Sequence, residues 1–133
     1  MSRDLVETGL GWSWTARRVL ASLADRDTSV VVAHDAGKVI GFGIARFRTD
    51  EAHILLLAVD RQHRRRGVGT ALVKWFERSA LVAGIGLIYL EARLSNAGAR
   101  SFYRMLGYTE FKLETGRYRG REAGVRLGRD LWA

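Results

Sequence analysis

Residues 55–80, LLLAVDRQHRRRGVGTALVKWFERSA, leave a chain few ways to fold. An apolar run ends at Val59 and Asp60, and a basic cluster follows. Gly67-Val68-Gly69 comes next, and from Val68 the apolar positions recur at helical spacing. Strand, turn and helix in this order build a phosphate site. Glycines let backbone approach closely, and the first N–H groups of a helix have no partner inside it. Arg64, Arg65 and Arg66 add positive charge and forked donors suited to phosphate oxygens.

Two familiar phosphate motifs are excluded. No GK[ST] follows the glycines, and the third glycine and later acidic residue of a dinucleotide fingerprint are missing. Taken alone, three arginines on a glycine turn are more often a solvated surface cluster. The residues that follow change that balance.

The chain has 133 residues, the size of one domain with one core, so a single domain over 1–133 is expected. A hydrophobic content of 47% beside 27% charged residues fits a globular protein, and no stretch is apolar enough to cross a membrane. No apolar signal follows Met1-Ser2-Arg3-Asp4, so a cytoplasmic location is the expectation. Without cysteine there is no thiol chemistry, and no Cys/His set can hold zinc, so no metal is expected. The net charge of +8 suits an anionic partner: a nucleotide-like cofactor, nucleic acid or a ribosome. Arginine richness from a GC-rich genome explains the charge equally well.

A helix is expected over 13–25, then a strand Thr28–His34, a turn Asp35-Ala36-Gly37-Lys38, and a return strand Val39–Arg48. A third strand spans Glu51–Val59, and a helix runs from Val68 to about Val82. Val68, Ala71, Leu72, Trp75, Phe76 and Ser79 are its expected buried face. Leu87–Arg93 is a strand, Asn96 caps a helix to Leu106, and Gly107 ends it. Strands Tyr108–Glu114 and Glu122–Asp130 follow, separated by 116–120. Hairpins at both ends of a βαβ crossover give a mixed α/β fold, a central mixed sheet flanked by helices.

Glu91 is the odd residue of its strand. A strand between crossover helices reads apolar throughout; Ile88, Leu90 and Ala92 obey and Glu91 does not. An exposed strand-end carboxylate paired with Arg93 is one reading. A general base where the sheet opens is the other, since ligands of open α/β sheets bind at strand ends. Asn96, Ala99, Phe102, Tyr103, Gly107 and Tyr108 then form NxxAxxFYxxxGY. Each has a structural role of its own, as cap, packing residue or helix stop, and the six in this order are hard to ascribe to chance.

The succession AVD, RxxGxG, LEAR and NxxAxxFYxxxGY resembles the GNAT superfamily of acetyl-coenzyme A-dependent N-acetyltransferases, over about Val30 to Leu127. Within it, LEARLSNAGARSFYRMLGY is most similar to the ribosomal-protein-alanine N-acetyltransferases, which acetylate a protein's N-terminal amine. The resemblance implies the roles. Leu57, Ala58 and Val59 would offer backbone to the pantetheine arm of acetyl-coenzyme A, which adds to the strand edge as a peptide would. The Val59 N–H would polarise the thioester carbonyl. Arg64, Arg65, Arg66, Gly67, Val68, Gly69 and Thr70 would wrap the pyrophosphate, and Asn96 would touch the cofactor arm. Glu91 would accept the amine's proton, and Tyr103 would protonate the departing thiolate.

The acceptor implied is a protein N-terminus, with a small-molecule amine as the alternative. A non-catalytic coenzyme A-binding module docking on RNA or the ribosome is the reading of a different class. An N-terminal amine, with a pKa of about 7.7–8.0, is partly neutral near pH 7, whereas a lysine at about 10.4 gives up roughly 4–5 kcal/mol to become so. A lone glutamate acting through water suits the first better.

The chain departs from the family pattern twice. It enters almost directly at a helix and lacks the usual first strand, which leaves Thr28–His34 as an edge without proline, lysine or inward charge. Residues 3–12, with Leu5, Val6, Leu10 and Trp12, are expected to cover that edge in the same chain or in a homodimer mate. Near the end, Arg117-Tyr118 leaves one tyrosine where the alanine acetyltransferases carry a pair.

Overall fold

A computed structural model describes residues 5–7, 27–64, 66–114 and 123–133. The expected helix over 13–25, Arg65 and the segment 116–120 lie outside them. The strands are β1 (Leu5–Glu7), β2 (Thr28–Asp35), β3 (Lys38–Phe47), β4 (Glu51–Val59), β5 (Leu87–Arg93), β6 (Thr109–Glu114) and β7 (Gly124–Asp130). The helices are α1 (Val68–Val82) and α2 (Ala97–Met105), and a single 3₁₀ turn, Arg61–His63, precedes α1. The sheet order is β2-β3-β4-β5-β7-β6, with β1 paired to β4 off that path.

The sheet is mixed, as the crossover predicts. β4 and β5 run parallel across α1, and the other neighbours are antiparallel. The β4–β5 register holds only from Glu51↔Leu87 to Ile54↔Leu90. Both strands continue, to Val59 and Arg93, without pairing each other. Past Ile54 and Leu90 the sheet is therefore forked.

One face of the sheet carries the main core. Ile54, Leu57, Ile88, Leu90, Ala92 and Leu127 pack with Leu72, Val73 and Phe76 of α1 and with Tyr103 and Tyr108. Gly43 permits this spacing: a Cβ there would stand 2.7 Å from the Phe76 ring, closer than any carbon tolerates. Ile44, Leu55 and Leu56 form a smaller cluster with Val30 and Phe42.

The expected face of α1 is turned by about one residue. Gly69, Leu72, Val73, Phe76, Glu77 and Ala80 are buried, whereas Ala71 is exposed and Trp75 half-exposed beside Arg78. Contact with Gly43 through Phe76 fixes the helix rotation, and it places a carboxylate inside. Glu77 is held there by three cations or donors. Tyr108 Oη donates to it at 2.8 Å, Arg129 Nη1 at 2.9 Å, and Lys74 Nζ stands 3.4 Å away. Burial, then the carboxylate itself, pushes the Tyr108 hydroxyl well up, so it stays protonated and donates.

The expectation that residues 3–12 cover the β2 edge is not met by the part described. Leu5–Glu7 pairs antiparallel with β4, Leu5 opposite Ala58 and Glu7 opposite Leu57. The edge it takes is the one the fork leaves without a neighbour, and unpaired backbone groups there attract any extended segment within reach.

Candidate active site

Gly67 makes the turn into α1. It sits at φ 81°, where an L side chain is strained, and nothing lies within 4 Å of where its Cβ would be. Among the described residues no side chain caps the helix start. Its first N–H groups are thus open to an outside acceptor, and the helix dipole favours an anion there. The start of α2 differs, because Asn96 Oδ1 accepts from the Ala99 N–H at 3.0 Å.

Both helix starts border one cleft of 560 Å³. Val59, Arg64, Gly67, Gly69, Thr70 and Asn96 line it, six of the residues that the resemblance assigns to the cofactor. Arg66 is exposed and does not line it, and Val68 turns toward the sheet, where its Cγ1 would meet a Cβ on Gly41 at 2.9 Å. Leu57 and Ala58 are buried on β4, and the edge they offer is the one β1 pairs with. An arm that adds to this edge and β1 exclude each other.

Sequence reasoning missed His63, Gly98 and Met105, which also line the cleft. His63 ties the 3₁₀ turn to the β2–β3 hairpin: Nδ1 is 3.5 Å from Asp60 and Nε2 is 3.6 Å from Asp35. The Asp35 partner lies 28 positions away, so local spacing carries no sign of it. Ala99 and Phe102 line the cleft too, beyond the packing roles expected of them.

Glu91 and Tyr103 stand on opposite faces of the sheet. Leu90 and Ala92 join the core with Tyr103, and side chains alternate along a strand, so Glu91 points to the other face. It is the first residue of β5 past the last pair with β4, at the root of the fork, and only 8% exposed. Its Oε1 accepts from Arg126 Nε at 3.2 Å. Tyr103 is wholly buried, edge-on to Phe102 and Tyr108, and does not line the cleft. Among the described residues no cluster of His, Asp and Glu could hold a metal ion, and no helix is long and apolar enough to cross a membrane.

A forked mixed sheet with a glycine-led helix start beside the fork is the arrangement that the resemblance to the acetyltransferase superfamily implied. Comparison with known proteins places it further: residues 3–108 match the Acetyltransferase (GNAT) family, and the chain belongs to it. It is 40% identical over 83 residues to an uncharacterized N-acetyltransferase of Methanocaldococcus jannaschii, covering 62% of this chain and 53% of that one. The chain thus spans about half of that relative's length. To the ribosomal protein bS18-alanine N-acetyltransferase of Escherichia coli it is 29% identical over 105 residues, 79% of this chain and 70% of that one. Among solved structures, Ard1 from Thermoplasma volcanium superposes with a TM-score of 0.82 at 30% identity, over 88% of this chain and 80% of that one.

Proposed function

We propose that the chain acetylates a protein N-terminal α-amine, with Glu91 as base and Tyr103 as acid. The neutral amine nitrogen attacks the thioester carbonyl, a C–N bond forms and the C–S bond breaks. The amine's surplus proton passes to Glu91, directly or through water, and the thiolate takes a proton from Tyr103. The Val59 N–H lies beside the fork to polarise the carbonyl, and Arg64, Gly67, Gly69 and Thr70 hold the diphosphate.

The observation that carries this reading is the place of Glu91. A carboxylate at the root of the fork meets an amine entering from its own face of the sheet. The α-amine follows from the low pKa of that group and from the likeness to the bS18-alanine enzyme. That likeness also makes an alanine-starting peptide the first acceptor to try and a ribosomal protein the first natural one. Glu91→Gln and Tyr103→Phe should each lower kcat by about 10²–10⁴-fold and leave the acetyl-coenzyme A-induced rise in thermal midpoint intact. Coenzyme A release over a panel of peptides and small amines measures both acceptor and loss. Unchanged turnover in either variant removes that residue from the mechanism.

A further inference from the structure

On the face of the sheet that carries Glu91, three strands bring charges together. Arg126 of β7 lies opposite Glu91 in register. Its Nε is 3.2 Å from Glu91 Oε1 and 3.1 Å from Glu114 Oε1 of β6. The guanidinium carbon stands 5.3 Å from the centre of the Tyr89 ring, which in turn stacks on His53 at 4.4 Å. The one Nε hydrogen donates to Glu91 Oε1, and Glu114, which also meets Lys112 Nζ at 3.6 Å, stands beside that donor as a second acceptor.

We propose that Arg126 is a positioning residue for the acetyl transfer: it holds the Glu91 carboxylate at the root of the fork, and Glu114 sets how firmly by competing for the same hydrogen. Arg126 touches no reacting atom and acts through Glu91, so the inference rests on Glu91 being the base. Two facts support it. The Glu91 side chain is 9% exposed and that of Glu114 is 15%, so neither is freely solvated, and without a cation between them the two would repel. The guanidinium also lies within cation–π range of Tyr89, which stacks on His53, and this contact restrains it.

The test uses the full chain with acetyl-coenzyme A and the amine it turns over fastest. Arg126→Gln should lower kcat about 10–100-fold, the range for a misplaced catalytic group, with KM for acetyl-coenzyme A within about twofold. Arg126→Lys keeps a cationic donor and should recover most of the loss. Glu114→Gln should move the other way, holding or raising kcat, because the shared hydrogen is left to Glu91. A fold defect would lower kcat in all three variants together and shift the coenzyme A-bound thermal midpoint; that result overturns the proposal. Wild-type kcat in Arg126→Gln overturns it as well. Glu91→Gln separates the two levels. If it loses turnover while Arg126→Gln does not, only the positioning role falls. If Glu91→Gln turns over normally, or the unaltered chain turns over no amine, the reading beneath it falls.

Discussion

α1 and α2 both begin at the same cleft and begin differently. Gly67 supplies no side chain to the start of α1, whereas Asn96 closes one N–H of α2 with its own oxygen. A helix start that satisfies itself is finished as structure. One that is left unsatisfied on a glycine turn needs an acceptor from outside, and Arg64 lines the cleft beside it. Function is read here from what the fold leaves undone.

The sharpest way to break the contrast is Gly67→Glu. Like charges about 4 Å apart repel by roughly 1–4 kcal/mol, so the variant should weaken acetyl-coenzyme A binding about tenfold or more and erase its stabilisation of the thermal midpoint. Gly67→Gln, equal in size and neutral, divides that loss into bulk and charge. If Gly67→Glu binds as the parent does, the anion sits elsewhere. Asn96→Ala probes the other helix start. It should lower the stability of the free protein by about 1 kcal/mol and weaken acetyl-coenzyme A binding less than Gly67→Glu does. A loss of affinity matching that of Gly67→Glu would erase the distinction between the two helices.

The smallest effect belongs to a tie between α2 and β6. Arg100 Nε donates to Glu110 at 2.8 Å, and this hydrogen bond holds the Glu110 carboxyl below its ordinary range. The pair's contribution is present above the unfolded-state pKa of about 4.3 and is lost as pH falls through the lower folded value. Glu110→Gln should therefore cost less than about 1 kcal/mol at neutral pH and nothing in strong acid, by denaturant titration at both. Equal destabilisation at both pH values would mean that packing, not charge, joins the two elements.

How much of this was legible from the chain depends on how local each signal is. β4, α1 and β5 match their expected limits, because period and punctuation lie inside each segment. The face of α1 was misjudged since Trp75 is large and apolar, and only the glycine opposite Phe76 decides the rotation. Glu77 looks like a surface residue until Tyr108 and Arg129, 31 and 52 positions away, are brought beside it. β1 is three residues long, too short for any period to show, and its partner residues are some fifty positions off. In the site, the glycine turn and Asn96 were readable, whereas His63 and Arg126 matter through partners that only folding supplies.

The Glu77 cluster also ties the two halves of the sheet at the end where they are paired: Arg129 lies opposite Ile88, which lies beside Ala52. α1 lies over β3 and β4 on one arm, and Glu77 reaches from it to Arg129 on β7 and Tyr108 beside β6 on the other. It works as a tie-beam between the two halves of the sheet. Prising the arms apart means stripping partners from a buried carboxylate, a change that costs about 3–5 kcal/mol when one partner is lost outright. The closed end of the fork is therefore anchored by a buried charge cluster.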